Sequence, residues 1–313
     1  MQDRVCYLHI GSHKTGTTSI QAFLGANEER LAADGVFLPL SGRLDATNGS
    51  HHNIAWELRG HSQYDSALGG VAELVEELRS SNARTACVSS EEFELLWSTP
   101  LRFAGLCRAI RAAGWAPRVI VYLRSQAPYC VRMYAELVKH GFRTPFLQYL
   151  TDVLRAGSFT WYGLLGPSFD YLALLNFSED TTESQAEARV YHERSPDDAL
   201  LAEFARILGV GDVSRYTFPA RLNQTPSFAS VLQMLGLHCE LDEALPFDPL
   251  TARQTAQIAL RFGASNLAVA RRYGIIISPV TQRELLQPLQ RMAVPYRARA
   301  VATAVAALVS IAT

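Results

Sequence analysis

The sequence has no excess of charge of either sign: 29 Lys and Arg stand against 30 Asp and Glu in 313 residues, a formal net charge of −1. Such a balance gives no electrostatic footprint for nucleic acid, and any anion site has to be a local concentration of donors. Paired cysteines are also missing. Cys6, Cys87, Cys107, Cys130 and Cys239 are scattered, with no C-x-x-C spacing. That excludes a disulfide framework and reads as the reduced, buried thiols of a cytoplasmic protein. There is no internal repeat and no low-complexity tract. No apolar run reaches the roughly 18 residues of a membrane-spanning helix. The nearest approach, "RAVATAVAALVSIAT" (299–313), is alanine-rich. It reads as a packed terminal helix, with peripheral membrane or oligomer contact as the alternative. The opening "MQDRVCYLHIG" lacks the basic-then-apolar design of a signal peptide.

Against these absences, 48% of the residues are hydrophobic, and they fall in an alternating pattern. Short apolar runs predict strands over 4–10, 36–40, 85–90, 118–123 and 188–194. Apolar residues at three- and four-residue spacing predict helices over 17–35, 67–81, 101–114 and 195–210, the last with a serine cap, and another after residue 124. The stretch "HHNIAWELRG" (51–60) reads as a loop entering a short helix. Alternation of this kind argues a mostly parallel central sheet flanked by helices. With no composition break, the chain reads as one α/β domain over 1–313, mainly helical over 228–313.

The densest chemistry lies in "YLHIGSHKTGTTSIQAFL" (7–24). A nucleoside-triphosphate loop, G-x-x-x-x-G-K-[ST], places its lysine directly after the second glycine. Here Gly11 and Gly16 keep the glycine spacing, but Thr17 and Thr18 follow, and Lys14 has moved inside the loop. Backbone N–H groups of residues 14–18 at the start of a helix still make an anion cradle, with hydroxyls at Thr15, Thr17 and Thr18 as further donors. A glycine turn that only closes a strand–helix unit is the plainer alternative.

The K-[ST]-G-T-[TS] run after a strand, "HIGSHKTGTTSIQ" (9–21), closely resembles the 5′-phosphosulfate loop of bacterial-type sulfotransferases. These enzymes use 3′-phosphoadenosine 5′-phosphosulfate (PAPS) and release the 3′,5′-bisphosphate PAP. The resemblance covers roughly residues 4–275 and is weak after about 230. It implies a P-loop-type three-layer sandwich, and PAPS held by Lys14, Thr15, Gly16, Thr17 and Thr18, with no metal required. It also gives Lys14 a catalytic role, the stabilisation of charge on the departing phosphate oxygen.

The family binds the 3′-phosphate with an arginine at a later strand end and a serine about two helical turns on. "VIVYLRSQAPYCVRMYAELVK" resembles that element, with Arg124 after the strand and an aromatic, Tyr134, where the family often has one. The serine position is Arg132, which either donates to the phosphate or is a solvated helix residue. "TACVSSEEFELLW" resembles the strand end that carries the base, which makes Glu91 the candidate proton acceptor. Glu92 is its neighbour on the acceptor side. Either carboxylate reads alternatively as a first-turn helix acid. His51 and His52 are candidates for acceptor contact or for an alternative base, with a structural role or a metal as rivals. "RLNQTPS" (221–227) resembles a downstream family segment in which Arg221 and Asn223 approach the nucleotide or form an ordinary capped turn.

Together these imply sulfuryl transfer to a hydroxyl or amine of a carbohydrate, lipid or small-molecule acceptor. A catalytically degenerate nucleotide- or glycan-binding protein, a small-molecule kinase and an assembly protein are the alternatives. The sequence names neither the acceptor nor the oligomeric state.

Overall fold

Val5 to His9 is a short apolar run with no helical period, and it forms the strand on which the rest of the sheet is built. The structure, a computed structural model, describes residues 4–45, 48–161, 163–193, 197–219, 227–236 and 247–277. In chain order the strands are β1 (Val5–His9), β2 (Val36–Phe37), β3 (Thr85–Ser89), β4 (Ala116–Leu123), β5 (Thr160–Trp161), β6 (Leu164–Leu165) and β7 (Glu187–Val190). The helices are α1 (Thr17–Ala26), α2 (Glu28–Ala33), α3 (His52–Arg59), α4 (Val71–Ser80), α5 (Pro100–Ala112) and α6 (Gln126–Lys139). They continue as α7 (Phe146–Ala156), α8 (Tyr171–Thr182), α9 (Asp197–Ile207), α10 (Phe228–Met234) and α11 (Ala252–Tyr273). The chain divides into two compact units, Met1–Leu123 with Leu172–Asn223, and Arg124–Tyr171 with Gln224–Thr313.

The first unit contains a five-stranded sheet in the order β2-β3-β1-β4-β7, with every pair parallel. A parallel sheet needs cover on both faces, and the sequence supplies it. On one face Tyr7, Cys87, Ile120 and Tyr122 pack with Ile20, Phe23 and Leu24 of α1 and Leu201, Phe204 and Ala205 of α9. Each such side chain removed from water contributes about 1.5–3 kcal/mol. The opposite face of β1 carries Cys6 and Leu8, fully buried, with Cys107 of α5 close to Cys6. Phe103, Leu106 and Ile110 continue that layer. This is the three-layer α/β arrangement that the alternating pattern implied.

Two predicted helices are shorter than their periodicity suggested. The 17–35 helix breaks at Asn27, whose side chain is buried and donates to Phe23 O (2.8 Å) and Thr217 O (2.8 Å) while accepting from Thr217 N (2.7 Å). An amide used in this way anchors a distant strand of chain rather than continuing a helix. The 67–81 helix starts only at Val71, after Gly69 and Gly70.

Among its described residues the second unit is helical apart from the antiparallel β5–β6 pair and the connecting loops. Its core is aromatic: Tyr134 lies against Phe142, Phe146, Tyr149 and Phe247. Gln126 of α6 and Asn266 of α11 exchange amide hydrogen bonds of 2.8 and 2.9 Å, which ties the two helices together.

Cys6, Cys87, Cys107 and Cys130 are buried free thiols, and burial pushes the last three up to about 12. At that value the thiolate is not populated near neutrality, so these cysteines act as small core residues. No described helix is long and apolar enough to cross a membrane. Cys239, the Ser195 cap, Arg221, Asn223 and the stretch 299–313 lie outside the described residues.

Candidate active site

The C-terminal ends of β1 and β3 meet at the loop of residues 10–16. In open parallel sheets this is where ligands are held. Three residues in the loop have left-handed backbones: Gly11 (φ 80°), Lys14 (φ 64°) and Gly16 (φ 82°). For the glycines this is undemanding, but for a lysine it is sparsely populated and costs about 1 kcal/mol or more. Left-handed residues interspersed in a short loop are a feature of backbone anion nests. Gly16 ends the loop at the N-cap of α1, and no side chain caps that helix, so its first-turn amides open on the loop.

Each predicted loop residue now has a place. Thr15 is fully buried and its hydroxyl donates to Ser12 O (2.5 Å), so what it offers a ligand is its backbone rather than its side chain. Thr17 is 4% exposed, and its Oγ1 is buried without a hydrogen-bond partner. An orphaned hydroxyl of this kind costs about 1–3 kcal/mol unless something accepts or donates to it. Lys14, Gly16 and Thr18 are half-buried along the same turn. Gly11 is required for packing as well as for its φ: a Cβ there would lie 2.8 Å from Glu91 Cβ and 3.6 Å from Thr17 Oγ1. Loop, hydroxyl and candidate base therefore converge at Gly11.

Glu91 opens a 3₁₀ turn, Glu91–Ser98, whose N-cap Ser90 accepts from Glu92 N (3.2 Å). Glu91 Oε2 accepts from Gln21 Nε2 of α1 (2.8 Å), and His52 Nε2 lies 3.9 Å from the same oxygen. Burial pushes the Glu91 pKa up, but His52, His13, its own backbone amide and Gln21 together pull it further down, so the net shift is downward. The carboxylate is ionised throughout the neutral range. Glu92 is paired with Arg59 of α3 through Oε2, and its Oε1 lies 4.0 Å from His13 Nε2 of the loop. The first-turn position that made these acids ambiguous in sequence is real, yet Glu91 also faces the loop.

The two adjacent histidines separate at the start of α3. His52 presents Nδ1 to Ser90 Oγ (2.8 Å) and stays half-buried beside Glu91. His51 is fully buried, with Nε2 donating to Pro39 O (2.9 Å) and Nδ1 accepting from Ser89 N (3.1 Å). Both ring nitrogens are taken up by backbone, which corrects the acceptor-contact expectation for His51 to a structural one. Burial, with Arg43 adding to it, holds its pKa down at about 3. Pro39 is itself fixed by Arg43, whose Nε donates to Pro39 O (2.7 Å) and whose two terminal nitrogens bind Glu28 at 2.8 and 2.9 Å.

Two residues that the sequence did not single out complete the site. His9, at the end of β1, is buried with Nδ1 2.8 Å from Ser89 Oγ, and burial lowers its pKa to about 4. Glu94, fully buried, accepts from Ser12 Oγ, His13 N and His13 Nδ1. The one sequence signal for Glu94 was its three-residue spacing from Glu91, which repeats one face of a 3₁₀ turn.

Arg124 and Arg132 belong to the second unit. Arg124 is 5% exposed and its carbonyl accepts from Tyr171 Oη (2.6 Å). Arg132 is half-buried on α6, and its charge acts on Asp248. Tyr134 is a core residue that donates to Thr144 O (3.0 Å). Among the described residues no group of three or more His, Cys, Asp or Glu side chains is placed to hold a metal ion.

The first-unit arrangement can therefore do two things: hold a compact anion on loop amides, Thr17 and Lys14, and keep an ionised carboxylate beside it. No family model, curated protein or solved structure matches this chain, so the site stands on its own geometry and sequence.

Proposed function

We propose that this chain is a PAPS-dependent sulfotransferase acting on a hydroxyl or amine of a carbohydrate, lipid or small-molecule acceptor. The observation that carries the reading is the buried Thr17 Oγ1 without a partner, at the position where a triphosphate-binding loop has its lysine. A tetrahedral anion oxygen satisfies that hydroxyl, and Lys14 from within the loop supplies the charge. PAPS, when bound, supplies the sulfuryl group and departs as PAP, keeping the bonding electron pair on its 5′-phosphate oxygen.

The residues of this chain then have separable tasks. Loop amides, Thr17, Thr18 and Lys14 hold the 5′ anion and stabilise the charge that grows on the departing oxygen, a preorganised site of the oxyanion type. Glu91 accepts the proton of the acceptor group as its oxygen or nitrogen bonds to sulfur. Its lowered pKa keeps it unprotonated and ready to do so. Gln21 orients Glu91 through Oε2, and His52 lies beside the same oxygen. Assignment of the 3′-phosphate to Arg124 and Arg132 rests on the sequence resemblance alone.

The test is ligand choice. PAP should raise the melting temperature in the absence of magnesium, by linkage to the folded state, and Mg-ATP should do clearly less. Labelled sulfate should pass from PAPS to at least one member of an acceptor panel. Equal or stronger stabilisation by Mg-ATP would move the reading to a kinase. Stabilisation by PAP with no transfer to any acceptor class would favour a binding protein without turnover.

A further inference from the structure

Three carboxylates crowd the loop just read as an anion site, and one of them, Glu94, is fully buried beneath it. Left unbalanced, a buried carboxylate would oppose both folding and anion binding. Glu94 instead accepts from Ser12 Oγ (3.2 Å) through Oε1, and from His13 N (3.0 Å) and His13 Nδ1 (2.8 Å) through Oε2. These contacts fix the two residues directly before the left-handed Lys14. On the other side Thr15 Oγ1 closes back onto Ser12 O.

We propose that Glu94 is a positioning residue for the anion loop, acting through His13, and that the imidazolium it holds is the second cation of that loop after Lys14. The proposal rests on the anion-site reading above. The groups facing His13 are Glu94, Glu92 and Glu91 from the turn after β3, with Lys14 next to it in the loop. From α3, Arg59 pairs with Glu92, and His52 lies beside Glu91. Burial pushes the His13 pKa down, but the Glu94 hydrogen bond and charge, then Glu92 and Glu91, raise it above the ordinary 6.5. Arg59 already neutralises Glu92, which leaves His13 as the counter-charge for Glu94. Below its raised pKa His13 is charged and favours the anion; as pH rises through that value the charge is lost and binding weakens.

The experiment is calorimetric titration of the intact chain with PAP, at several pH values, in wild type and Glu94→Gln. A field effect alone predicts tighter binding by the variant, because a negative charge near the anion has gone. Positioning predicts the opposite sign, a loss of about tenfold or more, since the amide cannot hold the imidazolium in place. The His13 ring titration, followed by NMR, should move to lower pH in the variant, a readout that loss of fold rigidity alone does not give. If Glu94→Gln does not fold, Ser12→Ala removes one of the three contacts and should still weaken PAP several-fold. Wild-type binding combined with equal or tighter binding by Glu94→Gln, or by Ser12→Ala where only that variant folds, overturns the proposal alone. No binding by the wild type removes the anion-site reading and the proposal with it.

Discussion

Thr17→Val separates the needs of the fold from those of the ligand. Valine keeps the β-branched shape and has nearly the helix propensity of threonine, so the start of α1 should form unchanged. What disappears is a hydroxyl buried without a partner. Such a group costs the ligand-free protein about 1–3 kcal/mol. For a domain of 150–250 residues each kcal/mol moves the melting temperature by about 2–4 °C, so the ligand-free variant should melt roughly 2–12 °C higher. The liganded form should change in the other direction. A hydroxyl donating to an anion contributes about 1.5–3 kcal/mol, so PAP affinity should fall roughly ten- to over a hundredfold. Thermal unfolding with and without PAP, in metal-free buffer, reads both effects in one series. A ligand-free variant less stable than wild type would refute the account of Thr17 as an orphaned hydroxyl. Unchanged PAP affinity would refute its place in the anion site.

Glu91→Gln should leave PAP affinity within a few-fold and lower sulfate transfer by roughly 10²-fold or more, the size of a general-base contribution; the same loss from His52→Gln, with Glu91→Gln active, would move the base to His52. The buried neutral histidines give an acid limit. Their folded pKa values, about 3 for His51 and about 4 for His9, lie below the unfolded value near 6.5. Between pH 6 and about 4.5 the unfolded chain therefore binds protons that the folded chain refuses, and each histidine lowers stability by about 1.4 kcal/mol per pH unit. His51→Gln should flatten that slope by one histidine's share in urea unfolding at the two pH values, and an unchanged slope would show that His51 takes up its proton in the folded state.

The parts of this molecule legible in its sequence are those whose cause is local. Gly11, Gly16 and the threonines sit at fixed spacing because a tight loop between a strand and a helix demands it, and that spacing is readable without the distant Glu91 against which Gly11 also packs. The five sheet strands were marked by apolar runs for the same reason. What escaped was set across long separations. The helix break at Asn27 depends on Thr217, 190 residues away, and Glu94 gains its role from His13, 81 residues away. His51 and His52 are neighbours with one chemistry, and only the direction each takes at the start of α3 divides a backbone strut from a residue beside Glu91.

The central position of β1 also carries a kinetic consequence. Its partners are β3, with His9 and Ser89 lying 80 residues apart, and β4, which comes later still in the chain. A loop held between such strands has no local route to its shape, because ring closure over long stretches of chain precedes any reward from pairing. In refolding, local helical turns should therefore form before the loop in front of α1, whose shape waits for β3 and β4. Refolding observed through PAP binding should lag behind refolding observed through helical circular dichroism, and the interval measures how late in assembly the molecule becomes able to bind.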